Sequence, residues 1–276
     1  MAVSATNELT GPPKGLTAIS IIRDGMGLLT STLPRAWGVW LVVVLFAPSA
    51  ILIDHAIGIR STSRYWEIRS GSLFLELFVG TGWTFVASAR AMIGSTSRVW
   101  VPDGYFWQSI GAQVAIAAVT YPIMLVTIFL LSERFDSATS YRHPREIIFE
   151  SLPVLLRFVI TIAVMRIALW PIARAIGDRA TSFGAVWRGM NGAVWPLIRA
   201  YVLLVGPLHA AHLGITVWTL SLSGRSNLQF YVNIANNLFR AVDVILVYSI
   251  FNAVYARVFM PVGSPFSNNS VIDVFD

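Results

Sequence analysis

Cysteine is absent from this 276-residue chain, which excludes disulfides, thiolate metal sites and thiol catalysis. Charge is scarce as well. Only 12% of the residues are Asp, Glu, Lys or Arg, against about 25% in an ordinary soluble domain, so a water-soluble globule fits poorly. Lys14 is the sole lysine among 20 basic residues. The rest are arginine, which pairs in several directions at once where water is excluded. The net charge of +6 is dispersed rather than gathered in a patch, so no nucleic-acid partner is expected. Residues 1–15 hold no apolar core, so no cleavable secretion signal is expected there. A metalloprotease helix, a phosphate-binding glycine loop and a nucleophile elbow are all missing. Without a catalytic constellation, a membrane enzyme acting on lipid headgroups is the least economical reading.

Apolar sequence is what the chain has in abundance. Hydrophobic residues make up 55% of it, and its mean hydropathy is +0.67. Six stretches approach the ~20 apolar residues needed to cross a bilayer: 36–57, 71–93, 110–131, 152–176, 195–222 and 238–259. The expected fold is therefore all-α, a polytopic integral membrane protein with six transmembrane helices plus interfacial amphipathic helices. Residues 1–35 form an N-terminal segment, 36–260 the membrane domain and 261–276 a polar tail. The polar connection 132–151 is too short to fold alone.

Local signals refine that plan. Ile19, Ile22, Met26, Leu29 and Leu33 recur at helical spacing before Pro34 and predict an amphipathic interfacial helix. Segment 226–237 is polar enough to lie at the surface or to extend the last helix. Pro48, Pro122, Pro171 and Pro207 bend or break four of the spans. Trp37, Trp40, Trp66, Trp100, Tyr105, Phe106, Trp107, Trp187 and Trp195 fall at or beside span ends, as interfacial anchors do. Basic residues are shared almost evenly between the two sides, so charge does not orient the protein.

The stretch 166–207 links two apolar runs through a more polar middle. Phe183, Val186, Trp187, Met190 and Val194 share one helical face, with Ser182, Arg188 and Asn191 towards the other. Thr181 or Ser182 can cap the start. A helix so patterned, tied at both ends to membrane-length segments, is expected to lie flat at the lipid–water boundary, with Phe183, Trp187, Arg188 and Trp195 at that interface. Arg166-Ile-Ala-Leu-Trp170, Pro171, Ser182-Phe183, Trp187-Arg188, Gly192 and Trp195 together resemble a pattern in bacterial six-helix membrane proteins. These are stand-alone relatives of the glycerophosphoryl diester phosphodiesterase membrane domain. Asn191 stands where those proteins tend to carry a basic residue. The resemblance implies a bacterial inner membrane; the N-terminus is expected on the cytoplasmic side because no export signal is read before the first span. It implies no activity, because the phosphodiesterase itself is a separate soluble domain.

Few residues could carry chemistry. Arg166 is the charge nearest the middle of a predicted span, a placement that costs about 2.5–3.5 kcal/mol on insertion scales. It binds an anion, a headgroup or a partner's carboxylate, or else it is bonded to helix ends or carbonyls of its own chain; the second is the simpler reading. Glu76, Arg90, Arg157, Arg174 and Arg199 lie near span ends, where long side chains can snorkel. His209 and His212, at i and i+3 beside Pro207, have the spacing of a metal, haem or pigment ligand pair. Two histidines without a third ligand do not make such a site, since His55 and His143 are expected at the membrane edge or in a loop. Hydrogen bonding between helices is the more economical use, and no cofactor is required. Gly206, Ala210 and Gly214 offer a small-residue face for close helix approach. Arg240 and Asp243 can pair along the last span, with Asn233, Asn236 and Asn237 continuing the polar stripe.

These features predict a non-catalytic accessory, scaffold or assembly subunit, with the lipid bilayer and other membrane subunits as partners. The alternative is a small-solute or lipid transporter with a cavity floored by Arg166, His209, His212 and Asp243.

Overall fold

The computed structural model describes residues 16–34, 36–46, 82–94, 99–135, 162–221 and 226–260, and no strand occurs among them. In chain order the helices are α1 (Ala18–Thr32), α2 (Trp37–Phe46), α3 (Thr84–Met92), α4 (Gly104–Phe135), α5 (Leu169–Ile176), α6 (Phe183–Gly189), α7 (Val194–Ser221) and α8 (Ser226–Phe259). Residues 162–167 add a helical segment before α5. The tail 261–276, Glu76, Arg157, His55, His143, Pro48 and Trp66 lie outside the described residues, as do large parts of the first, second and fourth predicted spans.

Among the described residues, two helices are long and apolar enough to cross a membrane, over Val194–Ala211 in α7 and Ile234–Phe259 in α8. They coincide with the fifth and sixth predicted spans. α1 and α2 reach that length only jointly, as a sharply bent pair. Segment 226–237 extends the last helix, since α8 runs unbroken from Ser226. The predicted stretch 110–131 lies wholly within α4, which continues through Pro122. The stretch 152–176, expected as one span, is broken in its described part by a turn at Ala168. Pro171 accounts for the break. It has no amide hydrogen to give the Ile167 carbonyl, and its ring crowds that carbonyl, so the ladder loses a rung there.

α8 is the axis of the packing. It touches α1, α2, α3, α5 and α7, and residues 248–256 are buried one after another around its whole circumference. A helix covered on all sides needs room for its neighbours, and Ser249, Asn252, Ala253 and Ala256 keep this stretch slim. α3 is enclosed in the same way from Val86 to Met92. The buried core joins these two helices to α5 through Val86, Leu169, Ile172, Ile250, Val254 and Tyr255.

α1 starts with a full capping box: Ser20 N–H donates to the Thr17 hydroxyl, and Thr17 N–H donates to the Ser20 hydroxyl. The apolar stripe read from the sequence is not the face packed against the bundle. Ile21, Asp24, Gly25, Leu28 and Thr32 are buried, whereas Ile19, Met26 and Leu33 are exposed and Ile22 and Leu29 half-buried. Apolar residues occupy both faces, so periodicity alone could not choose. The choice is made by Gly25, where a Cβ would stand 3.2 Å from the backbone of Ser249 and Ile250. Only a glycine lets α1 cross α8 that closely. Two of the expected interfacial aromatics are also reassigned. Trp40 and Phe106 are buried in the core, while Trp37, Trp100, Trp107, Trp187 and Trp195 are exposed.

Candidate functional site

Each charged group that reaches into the described bundle has an address within it. Arg166 sits on the 162–167 segment and donates from Nε to the Trp187 carbonyl at 3.0 Å, with its guanidinium 4.3 Å from the Trp187 ring centroid. It therefore anchors α6 by one charge-assisted hydrogen bond and one cation–π contact. α6 is shorter than the predicted helix. Ser182 caps it by accepting from the Ala185 amide at 3.2 Å, and Met190 closes it. Gly192, at φ 85°, then turns the chain into α7. Val186 and Met190 are buried, Phe183 and Trp187 face outward, and Arg188 and Trp195 are exposed. Val186, Gly189 and Met190 dock α6 inward, with Gly189 lying against the Phe259 ring at the end of α8.

Arg90 does not snorkel. It is buried, donating from Nε to the Ala175 carbonyl at 2.8 Å and from a terminal nitrogen to the Val101 carbonyl at 2.7 Å, and it pairs with Asp103. Three helices meet through it, because Asp103 also caps α4 by accepting from the Phe106 amide at 2.9 Å. Burial pushes the Asp103 carboxyl up, but the Phe106 amide, the hydrogen bond and charge of Arg90 and the Tyr105 amide outweigh it and hold the group below the ordinary 3.8. Reading Arg90 as a span-end residue placed it in the headgroup region. Its acceptors are the last carbonyls of α5 and a loop, which the sequence gives no means of bringing near.

Two further pairs were not visible as such. Asp24 is buried in the α1–α8 contact and accepts from Arg257 Nε at 2.7 Å. Its signal was its position three residues after Ile21 and four before Leu28, within a buried stripe. Asp178 follows the left-handed Gly177 (φ 82°) that ends α5. It accepts from the Ala180 and Thr181 amides, from the Thr181 hydroxyl, and from the Tyr255 hydroxyl at 2.6 Å. Thr181 thus serves Asp178, and Ser182 alone makes the cap.

The remaining cluster differs in kind. Tyr201 and His209 lie on α7, on either side of Pro207, and Asp243 lies on α8. The Tyr201 hydroxyl is 3.0 Å from His209 Nε2, and His209 Nδ1 is 3.2 Å from Asp243 Oδ2. The Tyr201–His209 pair is a hydrogen bond whose donor is set by the imidazole tautomer, and the His209–Asp243 pair stands at ion-pair distance. Tyr201, His209 and Asp243 thus form a chain of polar contacts between the two candidate spans. A phenol, an imidazole and a carboxylate in such a row are the groups from which proton relays are built. The His209 side chain is 53% exposed and that of Asp243 17%.

Of the residues singled out in sequence, the structure brings His209 to Asp243 and Arg166 to Trp187. Each His209 nitrogen has a polar neighbour, Tyr201 at Nε2 and Asp243 at Nδ1. The His212 side chain lies outside the described residues. Asp243 turns to α7 rather than to Arg240 along its own helix, and Arg240 is exposed. Among the described residues no hydrogen bond or ion pair joins Arg166 to the His209 chain, and no group of three or more His, Asp or Glu could hold a metal. Tyr201 went unnoticed because eight residues of α7 separate it from its partner. Compared with protein-family models, with curated proteins and with solved structures, the chain matches none of them.

Proposed function

We propose that this chain is a non-catalytic, multi-pass protein of a bacterial inner membrane, with six crossings, acting as an accessory, scaffold or assembly subunit of a larger membrane complex. The observation that carries this reading is where the charges go. Arg166, Arg90, Asp24, Arg257 and Asp178 all bind other parts of the same chain, so the costly polar groups are spent on holding a shape. A second feature supports a docking role. Only 22% of the candidate span in α7 is buried within the protein, and Trp195, Val202 and Leu203 point outward from it. The resemblance of the 166–195 stretch to six-helix membrane proteins adds support for the membrane placement. Extraction in a mild detergent followed by native electrophoresis tests the reading. A band well above the 30.4 kDa of the chain, containing other subunits, is expected; a monodisperse particle of this chain alone would overturn it.

A transporter is the second reading, and one observation favours it: the Tyr201–His209–Asp243 chain between two candidate spans. Its cavity would not include Arg166, which is engaged at Trp187. In reconstituted vesicles His209→Ala and Asp243→Asn would then abolish proton-driven uptake, whereas a subunit would keep its partners in both variants.

A further inference from the structure

A groove of about 680 Å³ runs between the start of α1 and the first turns of α7. Leu16, Ile19, Trp195, Ile198, Val202 and Leu203 give it apolar walls, and Arg199 is the one charged residue lining it. That volume falls within the ~300–1,000 Å³ of small-molecule sites. We propose that the groove seats an acyl chain of an anionic phospholipid, with its phosphate on Arg199.

Three observations select this occupant. The α7 residues of the groove are the opening residues of the candidate span Val194–Ala211, so the groove begins where that span would enter the bilayer and opens towards the acyl chains. Trp195 is exposed beside it, where an indole ring sits well at headgroup level. Arg199 is exposed, and among the described residues no carboxylate, carbonyl or ring engages it, unlike Arg90, Arg166, Arg174, Arg179 and Arg257. At the start of α1 the Thr17 and Ser20 amides are taken up by their own capping box. An apolar slot with a single free cation at its mouth suits an amphiphile with one anionic group. A wholly apolar ligand would leave the arginine unused.

The inference rests on the membrane reading above, and its test separates the two. The purified protein is placed in phosphatidylcholine nanodiscs containing phosphatidylglycerol, released, and weighed with its bound lipid by native mass spectrometry. Wild type is expected to retain phosphatidylglycerol over phosphatidylcholine. Arg199→Gln should weaken that preference about fivefold, the effect of one basic residue near an anionic surface. Leu203→Trp, which fills the slot from an exposed position, should reduce retention of both lipids. Arg179→Gln, remote from the groove and over Tyr105, should change nothing. An embedded protein whose Arg199→Gln variant keeps the preference overturns the lipid site alone, as would displacement of the lipid by soluble glycerol phosphate. A protein that stays in solution without detergent overturns the membrane reading and takes the site with it.

Discussion

Asp24 and Arg257 offer the sharpest energetic test, because the pair ties the first described helix to the last. Asp24 is 1% exposed, Arg257 32%, and their contact is 2.7 Å. The other Asp24 oxygen has the Arg23 guanidinium at 3.6 Å, too far for a hydrogen bond. Removing one partner of a buried pair leaves the other charge uncompensated and costs about 3–5 kcal/mol. Partial exposure of Arg257 and the proximity of Arg23 reduce that figure, so Arg257→Met should cost about 2–3 kcal/mol. Asp24→Leu leaves a cation that can swing towards water, and should cost about 1–2 kcal/mol. With both changes no charge remains in the contact, so the double variant should be about 1–2 kcal/mol more stable than the sum of the two losses allows. Reversible unfolding in sodium dodecyl sulfate, followed by helical circular dichroism, measures all four corners of this cycle. Strict additivity, or an Arg257→Met variant as stable as wild type, would refute the assignment of the pair as the clasp between α1 and α8.

Asp103 sets a pH limit. Its folded pKa lies below 3.8, so the stabilisation it gives is complete above that value and is lost as pH falls through the folded one. Acid unfolding of wild type and Asp103→Asn should therefore differ at neutral pH and converge only once pH has fallen through the folded pKa, on the acid side of 3.8. The two close glycines should respond differently to a methyl group. Gly25→Ala meets backbone atoms of α8 and should lose about 1–3 kcal/mol less the ~1 kcal/mol gained in helix propensity. Gly189→Ala meets only the tip of the Phe259 ring, so thermal unfolding should show its loss largely rescued by Phe259→Leu. Arg166→Leu should destabilise by about 2 kcal/mol through the loss of one charged hydrogen bond and one cation–π contact. Trp187 fluorescence should shift in that variant while partners still co-migrate.

What could be read in advance followed from chemistry local to the chain. The apolar runs of α7 and α8, the continuation of α8 back to Ser226, and the Ser182 cap each depend on residues adjacent along one helix. The reading of Arg166 as an arginine bonded to a carbonyl also agrees with its place at Trp187. What could not be read depends on two segments meeting. The inward face of α1 is chosen by Gly25 against α8, 224 residues later (249 − 25), although Ile19, Met26 and Leu33 made the better stripe. Arg90 looked like a span-end residue because its acceptors, Val101, Asp103 and Ala175, come together only through the packing of α3 on α5. Tyr201 joins His209 past Pro207 along the unbroken α7, and Asp243 completes the chain from another helix. A helical wheel holds neither relation.

The lack of cysteine makes one measurement unusually clean, since any introduced thiol is the only one present. Nitroxide labels at Val202→Cys and Leu203→Cys, on the outward face of α7, can be relaxed by dissolved oxygen or by a water-soluble nickel chelate after reconstitution in bilayers. If α7 crosses the membrane with that face outward, both labels respond to oxygen and are shielded from nickel. A response dominated by nickel at both positions would place the helix in water and contradict the membrane reading at its root.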